Sequence, residues 1–273
     1  MLAAKCDGAM VEAAAAAKGQ SFICPSPACG APLVLKQGRI VSAHFAHKPP
    51  FHCDWGGEES AAHRAAKILF RDAIAARGLA VELECYTPFP NGTARRADLL
   101  ATSPSGRPVA FEFQKTNIGL AEIEARAFSY AAHGYAQIWI PIAKPDIWKT
   151  MKKDGENRWK IERFAPSQFE KWISGLYMGK DYWLFEPLCS KILIVHTEKV
   201  KLLREATAFY QDGEERVSNE FYYNSKRFRS ASVSGPFDVA EFRIALSQRK
   251  EFASGPYRWP GGWTAHLVRQ SAD

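Results

Sequence analysis

Asp98 and Glu112 are the residues best placed to do chemistry in this chain. Asp98 lies in Ala-Arg-Arg-Ala-Asp-Leu-Leu (94–100) and Glu112 in Pro-Val-Ala-Phe-Glu-Phe-Gln-Lys (108–115), with Ser-Pro-Ser-Gly-Arg between them. Proline and glycine in that link are turn residues, so the two apolar-rich runs read as a β-hairpin. Strand side chains alternate faces, which puts Glu112 and Gln114 on one side and Phe111 and Phe113 on the other. Folding about Ser105 brings Asp98 opposite Phe111 or Glu112. Two carboxylates meeting on a buried sheet are costly without a cation. An oxygen-rich site of that kind suits Mg²⁺ or Mn²⁺.

A second group of chemically active residues lies earlier: Cys24-Pro-Ser-Pro-Ala-Cys29-Gly30, then His44-Phe-Ala-His47, then Cys53. These types and spacings suit a zinc knuckle, with Gly30 letting the backbone turn about the ion. Five candidates compete for four tetrahedral places. His44 and His47 are an odd number apart and point to opposite faces of a straight strand. Cys53 follows His47 closely, so the expected set is Cys24, Cys29, His47 and Cys53, with His44 a neighbour or a substitute. The competing reading is a cluster of buried thiols and ordinary histidines. A closed four-ligand site is structural, because catalytic zinc keeps a position open.

The elements that would hold these residues follow from periodicity. A helix over 58–77 has apolar residues at helical spacing, among them Ala65, Ile68, Leu69 and Ile74, and Gly78 sits where a terminal cap belongs. Glu59, His63 and Lys67 recur every four residues and form one stripe. On spacing alone that stripe reads as a solvated acid-to-base ladder. A strand over 79–87, an Asn91-Gly92 turn, the Asp98 and Glu112 strands, a helix over 119–133 with Tyr130 among its core candidates, and an apolar strand over 135–142 come next. The order is helix, three strands, helix, strand, which makes a mixed sheet with helices on its faces. Elsewhere the signal is weaker. The alanines at 13–17 permit a short helix; 191–196 reads as a strand and 198–210 as a helix. Residues 221–229 interleave aromatics with cations, read here as core aromatics beside a solvated charged face, the alternative being contacts to bases and phosphates.

A chain of 273 residues with 47% hydrophobic and 24% charged residues can bury one to two domains and a small module. Its net charge of +7 favours a polyanionic partner such as nucleic acid, without requiring one. Six cysteines in a chain this long are no disulfide scaffold, and three cluster beside histidines, which implies a reducing compartment. No apolar run approaches the ~18 residues of a membrane span, and no secretory leader pattern is present. The cytoplasm is the expected location, with no membrane insertion.

Taken together, Cys24-Pro…Cys29-Gly…His44-Phe-Ala-His47…Cys53, Glu59-Ser…His63…Lys67, Arg96-Ala-Asp98 and Glu112-Phe-Gln114 resemble the competence protein CoiA-like family over about residues 21–142. The resemblance implies an α/β protein with a PD-(D/E)XK (restriction-endonuclease-like) core of order αβββαβ. Residues 1–56 would be a zinc-finger-like module, 57–142 the nuclease core and 143–273 a mixed region of open role. It also implies that Asp98 and Glu112 bind the catalytic Mg²⁺ or Mn²⁺. Glu59 becomes a catalytic carboxylate instead of part of a solvated ladder, and Arg126 and Tyr130 match a helical motif that approaches DNA. The lysine usual in nucleases of this fold is Gln114 here, a residue that occurs at this place in the family and that would act catalytically by orienting the water without bringing charge. Lys115 stands one residue on, and Lys67 could supply the cation. The implied function is a metal-dependent deoxyribonuclease, a hydrolase for DNA processing in competence or recombination, with DNA and recombination or uptake proteins as partners. The alternative is a non-catalytic DNA-binding adaptor built on the same fold. An RNA-directed enzyme, the DNA structure preferred and the oligomeric state stay open.

Overall fold

Short alternating strands and turn glycines organise the first part of the chain. A computed structural model describes residues 1–39, 41–53, 59–89, 94–115, 118–179 and 181–270. Strands β1 (Ala3–Cys6) and β2 (Ala9–Glu12) form a hairpin whose turn, Asp7-Gly8, has both φ angles positive (49° and 83°), as a tight hairpin requires. With β3 (Phe22–Ile23), β4 (Pro32–Lys36) and β5 (His44–His47) they make a five-stranded sheet in the order β2-β1-β3-β4-β5. The Phe45 amide also donates to the Met1 carbonyl, curling the sheet back on itself. The helix allowed at 13–17 does not form. Five alanines are too few to nucleate one, and Ala13 and Ala16 instead pack on Phe22, Leu33 and Phe45. The histidines lie on the β4–β5 hairpin, whose second strand starts at His44, paired to Lys36.

Helix α1 (Ala61–Ala75) begins at an N-cap serine, Ser60, whose hydroxyl accepts from the His63 amide. Glu59 therefore precedes the helix, and the expected start at Glu58 lies outside the described residues. Strands β6 (Val81–Leu83), β7 (Tyr86–Pro88), β8 (Ala94–Arg96), β9 (Leu99–Thr102) and β10 (Pro108–Gln114) follow, then α2 (Leu120–Ala132) and β11 (Ala136–Pro141). The main sheet has the order β11-β10-β9-β6, parallel at β10–β11 and antiparallel elsewhere. Phe70 of α1 packs on Phe111 and Phe113 at 5.9 and 5.1 Å between ring centres. Tyr130 of α2 packs on the other face beside Ala110. One correction falls here: the strand expected over 79–87 is two strands. Glu84 adopts a left-handed φ of 52°, which ends β6 and lets β7 pair with β8 in a separate hairpin. The Asn91-Gly92 turn lies outside the described residues.

The remaining chain is mostly strands: β12 (Lys152–Lys153), β13 (Arg158–Phe164), helix α3 (Gln168–Leu176), β14 (Tyr182–Glu186), β15 (Lys191–Arg204), β16 (Ala208–Gln211), β17 (Glu214–Val217), β18 (Phe221–Phe237), β19 (Phe242–Arg249), β20 (Phe252–Ser254), β21 (Tyr257–Trp259) and β22 (Gly262–Arg269). A five-stranded sheet, β12-β13-β18-β15-β14, meets the main sheet at a parallel bridge between Ile142 and Phe185. The helix expected over 198–210 is absent. Its first half continues β15, because 199–204 have strand partners in 221–229 that outweigh local propensity. The main apolar core runs from Phe70 and Phe111 through Trp139 and Trp172 to Phe242 and Leu267, and β11 is buried along its whole length.

Candidate active site

The turn at 103–107 closes with the Ser103 amide donating to the Arg107 carbonyl at 2.8 Å, and Gly106 supplies the positive φ (80°). The resulting register pairs Leu99 with Phe111, which sets Asp98 opposite Glu112 one position further on. There β9 gives way to a bend, and the Phe113 amide loses its strand partner. The Asp98 side chain replaces it, Oδ2 accepting from that amide at 2.8 Å. The aspartate is thus built into the sheet edge.

Helix α1 brings two basic side chains to this edge. His63 Nε2 lies 3.0 Å from Asp98 Oδ2, and its Nδ1 lies 3.7 Å from Glu59. Lys67, fully buried, contacts Glu59, reaches Glu84 at 2.5 Å and approaches Asp98 at 3.9 Å. Burial works against its charge, yet Glu84, Asp98 and Glu59 together hold its pKa above the usual lysine value. Burial likewise opposes ionisation of Asp98, but His63, Lys67 and the Phe113 amide keep its carboxyl well below the usual range. Glu84 was not foreseen. Its left-handed backbone turns the carboxylate inward, where it also accepts from the Leu2 and Ala3 amides at 2.9 and 3.3 Å. Against the cost of burial, Lys67 and the neighbouring positive charges bring its pKa down to about 2. In the sequence it is one of two glutamates in Val-Glu-Leu-Glu, with nothing to distinguish it.

Glu112 is held from the other side of the sheet. Arg126 donates to Oε2 at 2.9 Å and Tyr130 to Oε1 at 2.6 Å, both from α2 and one turn apart. Burial, joined by the Asp98 charge, pushes the Glu112 carboxyl up to about 7, against the pull of Arg126 and Tyr130. Gln114 lies two residues on, at the carboxyl ends of β10 and β11. A cleft of about 360 Å³ opens there, lined in part by Gln114, the exposed Lys115, Lys144 and Arg163. Asp98, Glu112 and Glu59 offer the hard oxygen donors that Mg²⁺ or Mn²⁺ requires. Their oxygens do not converge as a set within 4.8 Å, and each carboxylate is drawn to a protein side chain instead: Asp98 to His63, Glu59 to Lys67 and Glu112 to Arg126.

The one such convergence among the described residues is Cys24, Cys29, His47 and Cys53, whose ligand atoms all lie within 4.8 Å of one another. Cys24 and Cys53 sulfurs are 3.8 Å apart, and His47 Nε2 is 3.5 Å from both Cys29 and Cys53 sulfurs. A tetrahedral zinc with Zn–S of about 2.3 Å and Zn–N of about 2.0–2.1 Å requires separations of about 3.8 and 3.6 Å. The four side chains therefore form a cluster able to hold a structural zinc ion. His44, on the opposite face of β5, bonds the Ser42 carbonyl instead.

Two protein-family models match the chain. That of the competence protein CoiA N-terminal domain covers residues 7–56, and that of the competence protein CoiA nuclease-like domain covers residues 59–217, more than half of the chain. No curated protein and no solved structure matches it.

Proposed function

Since the chain belongs to the competence protein CoiA family, we propose that it is a metal-dependent DNA nuclease of PD-(D/E)XK type, serving DNA processing in competence or recombination. The observation that carries this reading is the register that sets Asp98 opposite Glu112 where β9 leaves β10, with Glu112 two residues before Gln114 of the cleft lining. Asp98 and Glu112, with Glu59 nearby, would hold Mg²⁺ or Mn²⁺, which when bound supplies an activated water and neutralises charge gathering on the phosphodiester. Arg126 and Tyr130 hold Glu112 in position, and His63 does the same for Asp98. Gln114 lines the cleft and can orient a water through its amide without adding charge. Lys67 does not replace the missing lysine at the substrate, because it is wholly buried; it fixes the carboxylates.

The test is cleavage of single-stranded, double-stranded and branched DNA with Mg²⁺ or Mn²⁺, by wild type and Asp98→Ala. Metal-dependent cutting that disappears in the variant supports the assignment, and retained cutting removes it. A non-catalytic adaptor is the second reading. It is favoured by the protein cations that already neutralise each carboxylate: Lys67 at Asp98 and Glu59, Arg126 at Glu112. DNA binding without cleavage across several divalent metals selects it.

A further inference from the structure

We propose that the long β15–β18 hairpin is a binding arm for single-stranded DNA, continuous with the cleft beside Gln114. Aromatics expected to be core along this stretch are instead on the surface: Phe221, Tyr222 and Tyr223 are 49, 69 and 44% exposed. Three consecutive rings left in water on a two-stranded ribbon form a contiguous exposed aromatic patch, the kind of surface that marks an interaction site. The register pairs Arg204 with Phe221, Leu203 with Tyr222 and Leu202 with Tyr223. Directly paired residues share a face, so Phe221 and Tyr223 stand side by side, their ring centres 6.2 Å apart, with the Arg204 guanidinium 5.9 Å over Phe221. Successive bases stack on surfaces of this kind whatever their sequence, while arginine and lysine neutralise the phosphates.

Charge on the arm is segregated. Residues 199–204 and 221–229 carry Lys199, Lys201, Arg204, Lys226, Arg227 and Arg229 and no acid. The tip, 205–220, carries Glu205, Asp212, Glu214, Glu215 and Glu220 against Arg216 alone. A polyanion is therefore drawn to the stem and repelled from the tip. The stem leads to the candidate site, because Arg229 pairs with Phe164 and Phe228 lies 5.2 Å under the Arg163 guanidinium. Arg163 and Phe164 also line the cleft shared with Gln114 and Lys115. The idea that the arm delivers a strand for cutting rests on the nuclease reading; its binding of DNA does not.

The experiment uses full-length protein with chelator in place of divalent metal, and fluorescence anisotropy with labelled oligothymidine of roughly 20 nucleotides, longer than the 4–16 one single-strand site spans. A duplex of equal length is the comparison. Wild type should bind the single strand more tightly than the duplex. Phe221→Ala/Tyr223→Ala should weaken binding at least tenfold, Phe221→Trp/Tyr223→Trp should preserve it, and Lys201→Glu/Arg227→Glu should weaken it and flatten its salt dependence. Equal affinity in wild type and the alanine variant, a preference for duplex, or no DNA binding each overturns the proposal. Should Asp98→Ala still cleave DNA with Mg²⁺ or Mn²⁺ while the arm variants lose DNA, the nuclease assignment falls and the arm stands.

Discussion

Lys67 ties three carboxylates into one buried cluster, and Glu84 is the partner most dependent on it. With a folded pKa of about 2 against an ordinary 4.5, Glu84 contributes stability that is fully present above pH 4.5 and is lost as pH falls toward 2. Glu84→Gln removes one charge of a buried pair and should cost about 3 kcal/mol near neutral pH. In urea unfolding followed from pH 7 to 2, the gap between wild type and variant should close below pH 4.5, as wild-type Glu84 becomes protonated too. A gap that stays constant would mean the shifted titration lies elsewhere. Glu84 also marks a limit of sequence reading. That Asp98 and Glu112 lie opposite each other was legible because a Pro/Gly turn fixes their register locally, whereas Arg126 and Tyr130 were singled out only by the family resemblance. Glu84 owes its role to a left-handed backbone and a lysine 17 residues away, neither written in local pattern.

At the scale of elements, ligand type and spacing carried the cysteine cluster, whereas helix-like composition over 198–210 misled, since a strand partner far along the chain decides that segment. The aromatic run at 221–229 failed for a related reason. Alternation says which residues share a face, but not whether another layer covers it. The cysteine module also makes a prediction of its own. Cys24, Cys29 and Cys53 come from loops around β3, β4 and β5, which are short and share a small core of Phe22, Leu33 and Phe45. So little apolar burial leaves the sheet dependent on a metal. Native mass spectrometry should find a single zinc per chain, absent in Cys29→Ala. Chelation should open residues 1–53 to protease while α1 stays protected. A metal-free chain that resists protease throughout would show the core suffices alone.

The whole molecule is held by contacts that extend past the family match, which ends at residue 217. Trp259, nearly buried, donates its indole N–H to the Trp172 carbonyl at 2.7 Å, and Trp172 returns the bond to the Arg258 carbonyl at 2.9 Å. Trp172 in turn meets Trp139 of β11 edge-on at 5.5 Å, so the β20–β21 hairpin, α3 and the sheet carrying Glu112 pack as one stack. Gly175 makes this possible. A Cβ at that position would overlap the Trp259 ring, so α3 accepts a glycine in its last turn in exchange for the approach. Gly175→Ala raises helix propensity by about 0.8–1 kcal/mol, yet overpacking costs about 1–3 kcal/mol, so the net change should be destabilising. In a Trp259→Ala background, itself about 3–5 kcal/mol less stable, the obstruction is gone and Gly175→Ala should become neutral or stabilising. Thermal unfolding of the four chains reads this reversal of sign. The same penalty in both backgrounds would mean that the ring does not set the identity of residue 175, and that the C-terminal hairpin docks on the nuclease-like part through other contacts.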